Sequence, residues 1–278
     1  MKKISIVTPC FNAQSYIEET IESVINQKAI LQARCELEYI IVDGGSTDET
    51  ILKSQSFREH SQASKIKLIS EPDRGMYDAL AKGLKQCSGD IVAYINAGDY
   101  YHSSAFDIVL DIFASKKVNW LTGYNTVYNE NSSIVSVELP YRYRRELITC
   151  GFYGRTLPPL QQESTFWASS LLNLIDYDFL ASLKYAGDYY LWLQFAKEYQ
   201  LSIVQSYIGG FRVHKGQISG DKSAYYHEVD QLITAKPSMR NYIQAKIDSL
   251  LWYMPGRLKK KFNQEHLFRF NHELQSWI

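Results

Sequence analysis

Residues 37–50 read LEYIIVDGGSTDET. Leu37–Val42, rich in Ile and Val, reads as a strand. Asp43 closes it and two glycines follow. Ser46-Thr47-Asp48-Glu49 then fits a capping box, with Ser46 as N-cap and Glu49 at N3. A strand that turns through glycines into a helix is half of a βαβ unit, and its neighbours repeat the theme. Ile4–Pro9 is strand-like, and Tyr16, Ile17, Thr20, Ile21, Val24 and Ile25 recur at helical spacing. Ile66–Ser70 is a third strand, a helix is expected from about Gly75 to Gln86, and Asp90–Ile95 is a fourth strand. Strands alternating with helices predict an α/β fold with a mostly parallel central sheet. Such sheets bind ligands beyond the C-terminal ends of their strands, so the loops starting near Thr8, Asp43, Glu71 and Asn96 are the places to search.

After residue 120 the pattern changes. Asn125–Tyr128 and Ile134–Leu139 suggest a polar hairpin, and residues 140–165 are loop-like. Gly187–Tyr199 reads as a helix and Tyr207–Val213 as a strand. From about Ser223 only helical segments are expected, broken at Pro237 and at Pro255-Gly256. The chain has 278 residues, 45% of them hydrophobic, enough for a sizeable core and too many for a disordered chain. Thirty Lys and Arg balance thirty Asp and Glu, so nucleic acid is not the expected partner. The four cysteines, Cys10, Cys35, Cys87 and Cys150, form no C-x-x-C pair and read as reduced, mostly buried thiols. Thr8-Pro9 cuts the first apolar run short of a signal peptide, and no stretch approaches the ~20 apolar residues of a membrane span. A cytoplasmic protein, soluble or peripheral on the inner face of the membrane, is the expectation.

The loops carry chemistry in different ways. Asp43-Gly44-Gly45 lets the backbone approach a ligand, and Asp43 suits a base N–H or a ribose hydroxyl; a plain Gly-rich turn is the competing reading. G-x-G-x-x-G and the P-loop are both absent, which removes dinucleotide binding and P-loop chemistry. Glu71-Pro72-Asp73-Arg74-Gly75-Met76-Tyr77-Asp78 sets four ionisable groups around a helix start. Asn96-Ala97-Gly98-Asp99 offers hard oxygen donors of the kind Mg²⁺ or Mn²⁺ prefers. One carboxylate and one amide form a cation site when a ligand's phosphates complete it.

In this order the motifs resemble those of family 2 inverting glycosyltransferases, which have the GT-A nucleotide-sugar-binding fold. The matching runs are Ser5–Asn12, Val42–Thr50, Glu71–Gly83, Asn96–Asp99, Pro159–Trp167, Ala186–Leu193 and Gly210–Ser219, together covering about residues 3–220. The resemblance implies a GT-A-like domain over 1–220, with a nucleotide-sugar-binding half (1–122) and an acceptor-side half (123–220), followed by a helical C-terminal extension over 221–278. It implies that Thr8, Pro9 and Asp43 line the nucleoside pocket and that Asp73 and Arg74 flank base and diphosphate. Asp99 matches the last acid of a D-x-D-type motif that holds Mg²⁺ or Mn²⁺ on the diphosphate; Asn96 stands where many members have Asp. Glu163, Phe166 and Trp167 match an acceptor-side segment. Asp188 matches the general base, although a helix N-cap after Gly187 is the bland reading of the same residue. His214 and Lys215 are candidates for the diphosphate or metal, with a structural histidine as the alternative. The implied activity is transfer of a sugar, with inversion, from a nucleotide-diphosphate sugar (a UDP-sugar first) to a glycan or lipid-linked acceptor in bacterial polysaccharide or lipopolysaccharide synthesis. A non-catalytic nucleotide-sugar-binding module is the competing class, kept open by Asn96. A nucleotidyltransferase would start with a basic Gly-rich loop, which Thr8–Asn12 is not.

The last 40 residues lie outside the resemblance. From Met239 on, seven basic residues face three acidic ones and aromatic residues interleave. That composition suits an anionic membrane surface; helices packed on the catalytic domain or on a second subunit are the alternative.

Overall fold

The computed structural model describes residues 1–57, 66–115, 118–213, 222–263 and 265–278. Its first hundred residues alternate as the periodicity predicts. β1 (Lys2–Cys10) leads to α1 (Ile17–Ile25) and a single turn, α2 (Lys28–Leu31). β2 (Cys35–Asp43) leads to α3 (Thr50–Ser56), and β3 (Ile66–Ser70) to α4 (Met76–Leu84). β4 (Ile91–Tyr94) ends at the Asn96–Asp99 loop. The four strands are parallel, in the order β4-β1-β2-β3. The chain thus leaves β1 on one side and returns on the other at β4. The gap between the C-terminal ends of β1 and β4 is a topological switch point, where open α/β sheets bind ligands.

Beyond it come β5 (Tyr100–Tyr101), α5 (Ala105–Ser115), β6 (Trp120–Thr122), β7 (Asn125–Tyr128), β8 (Ile134–Glu138) and α6 (Arg145–Thr149). β9 (Phe166–Ala168), α7 (Tyr177–Ser182), α8 (Gly187–Glu198), β10 (Ser202–Val204) and β11 (Gly209–Arg212) follow. The tail holds α9 (Lys222–Leu232), α10 (Met239–Trp252), α11 (Gly256–Phe262), β12 (Leu267–Phe268), β13 (Phe270–Asn271) and β14 (Ser276–Trp277). β9 runs antiparallel between β4 and β6, and the main sheet reads β12-β10-β6-β9-β4-β1-β2-β3. A smaller sheet, β5-β11-β7-β8, starts directly after Asp99.

The two faces of the main sheet bury separate cores, as alternation along a strand demands. Ile4 and Ile6 of β1 point to one core with Ile21, Val24, Ile41 and Phe106. Val7 points to the other, with Val42, Leu80, Leu84 and a cluster in which Trp192 meets Trp120 tilted and Trp167 edge-on. α4 lies so close to β1 that a Cβ on Gly83 would sit 2.4 Å from Val7 Cγ1. Helix propensity favours Ala over Gly by about 1 kcal/mol, yet overpacking a tight core costs about 1–3 kcal/mol. Gly83→Ala is therefore expected to lower stability by about 1 kcal/mol in urea unfolding. A gain would mean that α4 can slide off the sheet.

Two expectations need correcting. The Ser46 capping box does not form: α3 begins at Thr50, with Glu49 in the N-cap position and making no side-chain cap. Asp48 Oδ1, closer to the helix, takes the Thr50 N–H at 3.0 Å, and Ser46 donates its hydroxyl back to Asp43. Nor is the tail helical to its end. β12 adds an edge strand beside β10, and β13 and β14 form a hairpin; strands of two residues carry too little alternation to be seen in sequence. α10 is tied to the segment just ahead of α6 by a bidentate pair, Arg144 Nε and Nη2 on the buried carboxylate of Asp248 at 2.6 and 3.1 Å. Among the described residues no helix is long and apolar enough to cross a membrane. All four cysteines are free.

Candidate active site

The loops after β1 and β2 are stitched to each other. Gly44 N–H donates to the Cys10 carbonyl at 2.9 Å, Asn12 N–H to Ser46 Oγ at 2.7 Å and Thr47 N–H to Asn12 Oδ1 at 2.9 Å. Asp43 is wholly buried and accepts from Gly45 N–H, Ser46 N–H, the Ser46 hydroxyl and, at 2.9 Å, the Ser70 hydroxyl. Its carboxylate therefore fixes the loop that frames the pocket. Thr8 is buried and shares a 3.0 Å hydrogen bond with Tyr39 Oη, and Pro9 is buried within β1. Both are inside the sheet, so neither offers an exposed side chain to a ligand. Asp73 rests on Gly44: a Cβ there would lie 2.5 Å from Asp73 Oδ2, so only glycine admits the carboxylate. Asp73 Oδ1 accepts from Gly75 N–H at 2.8 Å, and burial, aided by Asp78 and Asp43, raises its pKa. Arg74 is exposed and reaches Asp78 at 3.3 Å.

An acidic centre lies at the other side of the switch point. Gly98 N–H donates to Thr20 Oγ1, which in turn donates to the Asp99 carbonyl, fixing the turn to α1. Asp99 is buried, and Arg212 N–H of β11 donates to its Oδ1 at 2.8 Å. Glu163 is buried too, with its carbonyl against Gly209, where a Cβ would lie 2.1 Å away. Desolvation first, then the Glu163 charge, drives the Asp99 pKa well up. Desolvation pushes Glu163 up to about 7. Arg212 offsets part of this, with its guanidinium between the rings of Tyr16 and Tyr100 and paired with Glu19. Asn96 donates to Gln162 Oε1 at 3.4 Å, while its buried Oδ1 has no partner. A buried carboxylate next to an orphaned amide oxygen matches what a hard divalent cation takes up together with phosphate oxygens. Among the described residues no group of three or more His, Cys, Asp or Glu forms a self-sufficient metal site.

Asp188 lies on the first turn of α8, near enough to Glu163 for its charge to raise that carboxyl. It is not the N-cap, which is Ala186; Asp188 is the second helical residue, and its Oδ1 accepts from Tyr189 N–H at 2.7 Å. Gly187 lets the Tyr77 ring of α4 lie flat against the helix start, with a Cβ clash at 2.4 Å otherwise. The Tyr77 hydroxyl then sits 3.5 Å from Asp188 Oδ1 and 3.1 Å from the Tyr185 carbonyl, and Tyr225 of α9 also bonds the carboxylate. Burial outweighs these donors and pushes Asp188 up to about 6. The carboxylate of Glu228, also on α9, collects the N–H groups of Lys184, Tyr185 and Ala186 at 3.0, 2.7 and 2.6 Å. It pins the segment that leads into α8, since all three N–H groups precede the helix at Gly187. Hydrogen bonds to charged groups are worth about 1.5–3 kcal/mol each, and Gln keeps part of them. Glu228→Gln is expected to lower stability by about 1–2 kcal/mol and to loosen Asp188, seen as a reduced turnover with unchanged donor affinity. Wild-type turnover would mean that Glu228 does not position the start of α8.

The structure thus brings Asp43 with Asp73, and Asn96 with Asp99 and Glu163, to the switch point, and puts Asp188 on α8 under Tyr77. It moves two expected residues away. Phe166 and Trp167 lie on β9 inside the main sheet, each fully buried, one per core. Phe166 packs on Tyr101 and Phe106, and Trp167 on Tyr94 and Phe195. They cannot face an acceptor, because the cores packed on the two faces of the sheet cover both side chains. His214 and Lys215 lie outside the described residues. The sequence reading missed Tyr77, Gln162, Arg212, Tyr225 and Glu228. Tyr77 and Gln162 lie inside the matched runs Glu71–Gly83 and Pro159–Trp167; nothing local marks Glu228, which acts across 42 residues of chain.

Comparison with known proteins identifies the family and the fold. The sequence model of the family described as Glycosyl transferase family 2 matches residues 5–153, more than half of the chain. The chain is 25% identical over 224 residues to the UDP-Glc:alpha-D-GlcNAc-diphosphoundecaprenol beta-1,3-glucosyltransferase WfgD of Escherichia coli, covering 79% of this chain and 80% of that protein. Residues 1–349 of S. aureus TarS, solved in complex with UDP-GlcNAc, superpose with a TM-score of 0.63 at 15% identity, covering 93% of this chain and 70% of that one. Against the longer TarS structure the chain spans 43% of its length. Glucosyl-3-phosphoglycerate synthase from Mycobacterium tuberculosis, solved with Mn²⁺, UDP and phosphoglyceric acid, gives a TM-score of 0.54 at 19% identity, covering 86% and 80%.

Proposed function

The chain belongs to glycosyl transferase family 2, and from that premise we propose that it transfers a sugar with inversion from a UDP-sugar to a hydroxyl of a lipid-linked glycan, in assembly of a bacterial surface polysaccharide. The observation that carries the reading is Asp188. A carboxylate on the first turn of α8, held by Tyr77 and raised to about 6, is ionised near neutral pH yet basic enough to take a proton.

The residues divide the work. The Asp43-pinned loop, with Asp73 seated on Gly44, frames the nucleoside. Asp99 and the free Asn96 oxygen would hold Mg²⁺ or Mn²⁺ against the donor diphosphate, a charge that offsets the negative charge building on the leaving group. Glu163 lies behind Asp99 and keeps the centre acidic. The acceptor hydroxyl gives its proton to an Asp188 oxygen while its own oxygen bonds the anomeric carbon. The bond from that carbon to the diphosphate oxygen breaks on the opposite face. One displacement inverts the anomeric centre, so no enzyme nucleophile is needed. That relatives carry the names of UDP-glucose and undecaprenol-linked chemistry supports donor and acceptor class.

Donor choice is tested by thermal shift with UDP-, GDP-, dTDP- and CMP-sugars, each with and without Mn²⁺. A ligand at 100 times its Kd stabilises the native state by about 2.7 kcal/mol. The expected result is a rise in Tm with UDP-sugars that grows with Mn²⁺. An equal rise with all four, or none with any, contradicts the assignment.

A further inference from the structure

α10 is amphipathic in the unexpected sense. Ala245, Asp248 and Trp252 face the catalytic domain and are buried. The opposite side bears Met239, Tyr242, Ile243, Ile247, Leu250 and Tyr253, all exposed, Leu250 at 74% and Tyr253 at 81%. They recur every three or four residues, so they form one stripe along the helix. α11 continues it with Leu258 and Phe262. An apolar stripe of this length on water is a surface that something covers.

The charges say what covers it. The exposed charged side chains from 239 to 262 are all basic: Arg240, Lys246, Arg257 and Lys261, with Lys260 half-buried among them. The other two charges in the segment are committed to the fold. Asp248 is buried on Arg144, and Lys259 is buried on the Leu139 carbonyl at 2.7 Å and near Glu138 at 3.6 Å. The next acids, Glu265 and Glu273, belong to the following turn and hairpin. The chain as a whole is neutral, so this positive charge is local. Long basic side chains beside apolar and tyrosine side chains match the interface of an anionic bilayer, where the stripe enters the acyl boundary and the ammonium groups reach the headgroups. A second copy fits poorly. A two-fold contact sets a patch against itself, which would bring the two basic rows together.

We propose that the exposed face of α10 and α11 docks on a bilayer that contains anionic phospholipid, lying in the interface without crossing it. The proposal goes beyond the transfer reaction and stands on the surface alone.

Its test is co-sedimentation of the full chain with vesicles of phosphatidylcholine, with and without 30% phosphatidylglycerol, at physiological salt. Each basic residue near such a surface is worth about a fivefold change in partitioning. Arg257→Gln, Lys260→Gln and Lys261→Gln together are expected to weaken binding to the anionic vesicles about 100-fold. Leu250→Asp with Tyr253→Asp, both at highly exposed positions, is expected to abolish it. Unchanged thermal midpoints show that the variants are folded, and neither readout depends on catalysis. A wild-type chain that stays in the supernatant, or that binds both vesicle types equally, overturns the proposal. So does a concentration-dependent dimer that Leu250→Asp dissolves, because it gives the face to a second copy.

Discussion

Asp188→Asn is expected to reduce turnover by about 10²-fold or more while leaving donor affinity within about twofold. The substitution keeps the shape and the bond from Tyr189 N–H but cannot accept a proton. General-base catalysis typically contributes 10²–10⁴-fold, and the carboxylate is separate from the loops that frame the nucleotide. In the wild type, turnover should rise with pH through about 6, the value to which burial pushes this group, and the variant should lose that inflection. Stability gives a second, independent readout. Folding carries Asp188 from its ordinary value near 3.8 to about 6. Its contribution is therefore fully present below pH 3.8 and is lost as pH rises through 6. Asp188→Asn removes that loss, so the variant should melt higher than the wild type at pH 8, with the gap closing below pH 4. A variant that is slower and more stable is what a residue kept for chemistry predicts. Wild-type turnover in Asp188→Asn would move the search for a base to Glu163 or Asp78.

Asp99→Asn is expected to weaken UDP binding in the presence of Mn²⁺ at least tenfold and to make the remainder insensitive to chelation. Asp99 is the sole acid of its loop and neighbours the unpartnered Asn96 oxygen. A bound cation would hold the buried Asp99 carboxyl in its ionised form, and the substitution removes the only carboxylate in the loop that could take that charge. Calorimetry of UDP with Mn²⁺, with Mg²⁺ and with a chelator measures it, and a chelator should weaken wild-type binding by a similar factor. Affinity that stays high and metal-dependent in the variant would take Asp99 out of the site.

What the residue pattern could and could not foretell follows from range. β1 to β4 and their helices were legible because each carries its own period: Ile4, Ile6 and Val7 alternate between the two cores, and Ile17, Ile21 and Val24 fall on one helix face. The loops at Asp43, Asp73 and Asp99 follow from that alternation as strand ends, whereas the switch point needs the strand order β4-β1-β2-β3, which no local pattern carries. Long-range partnership was not legible. Asp43 looks like a ligand residue in sequence, yet four donors of its own and neighbouring loops consume its carboxylate. Phe166 and Trp167 look like an acceptor platform, yet β9 is an antiparallel insertion whose place between β4 and β6 no local pattern announces. Lys259 reads as one of three surface lysines, and only the packing of α11 on Glu138 and Leu139 sets it apart. For Asp188, sequence spacing alone could not separate a helix cap from a base. The structure puts Ala186 at the cap and Glu228 on the preceding amides, so Asp188 is not a capping residue; its carboxylate takes the Tyr189 N–H and the hydroxyls of Tyr77 and Tyr225 instead.

The central claim is that one base, Asp188, drives a single displacement at the anomeric carbon. The anomeric configuration of the product tests it most directly, read by proton NMR of the new glycosidic linkage. From an α-linked UDP-sugar the account predicts a β-linked product from the first turnover. An α-linked product would require two displacements or a front-face route, and would contradict it.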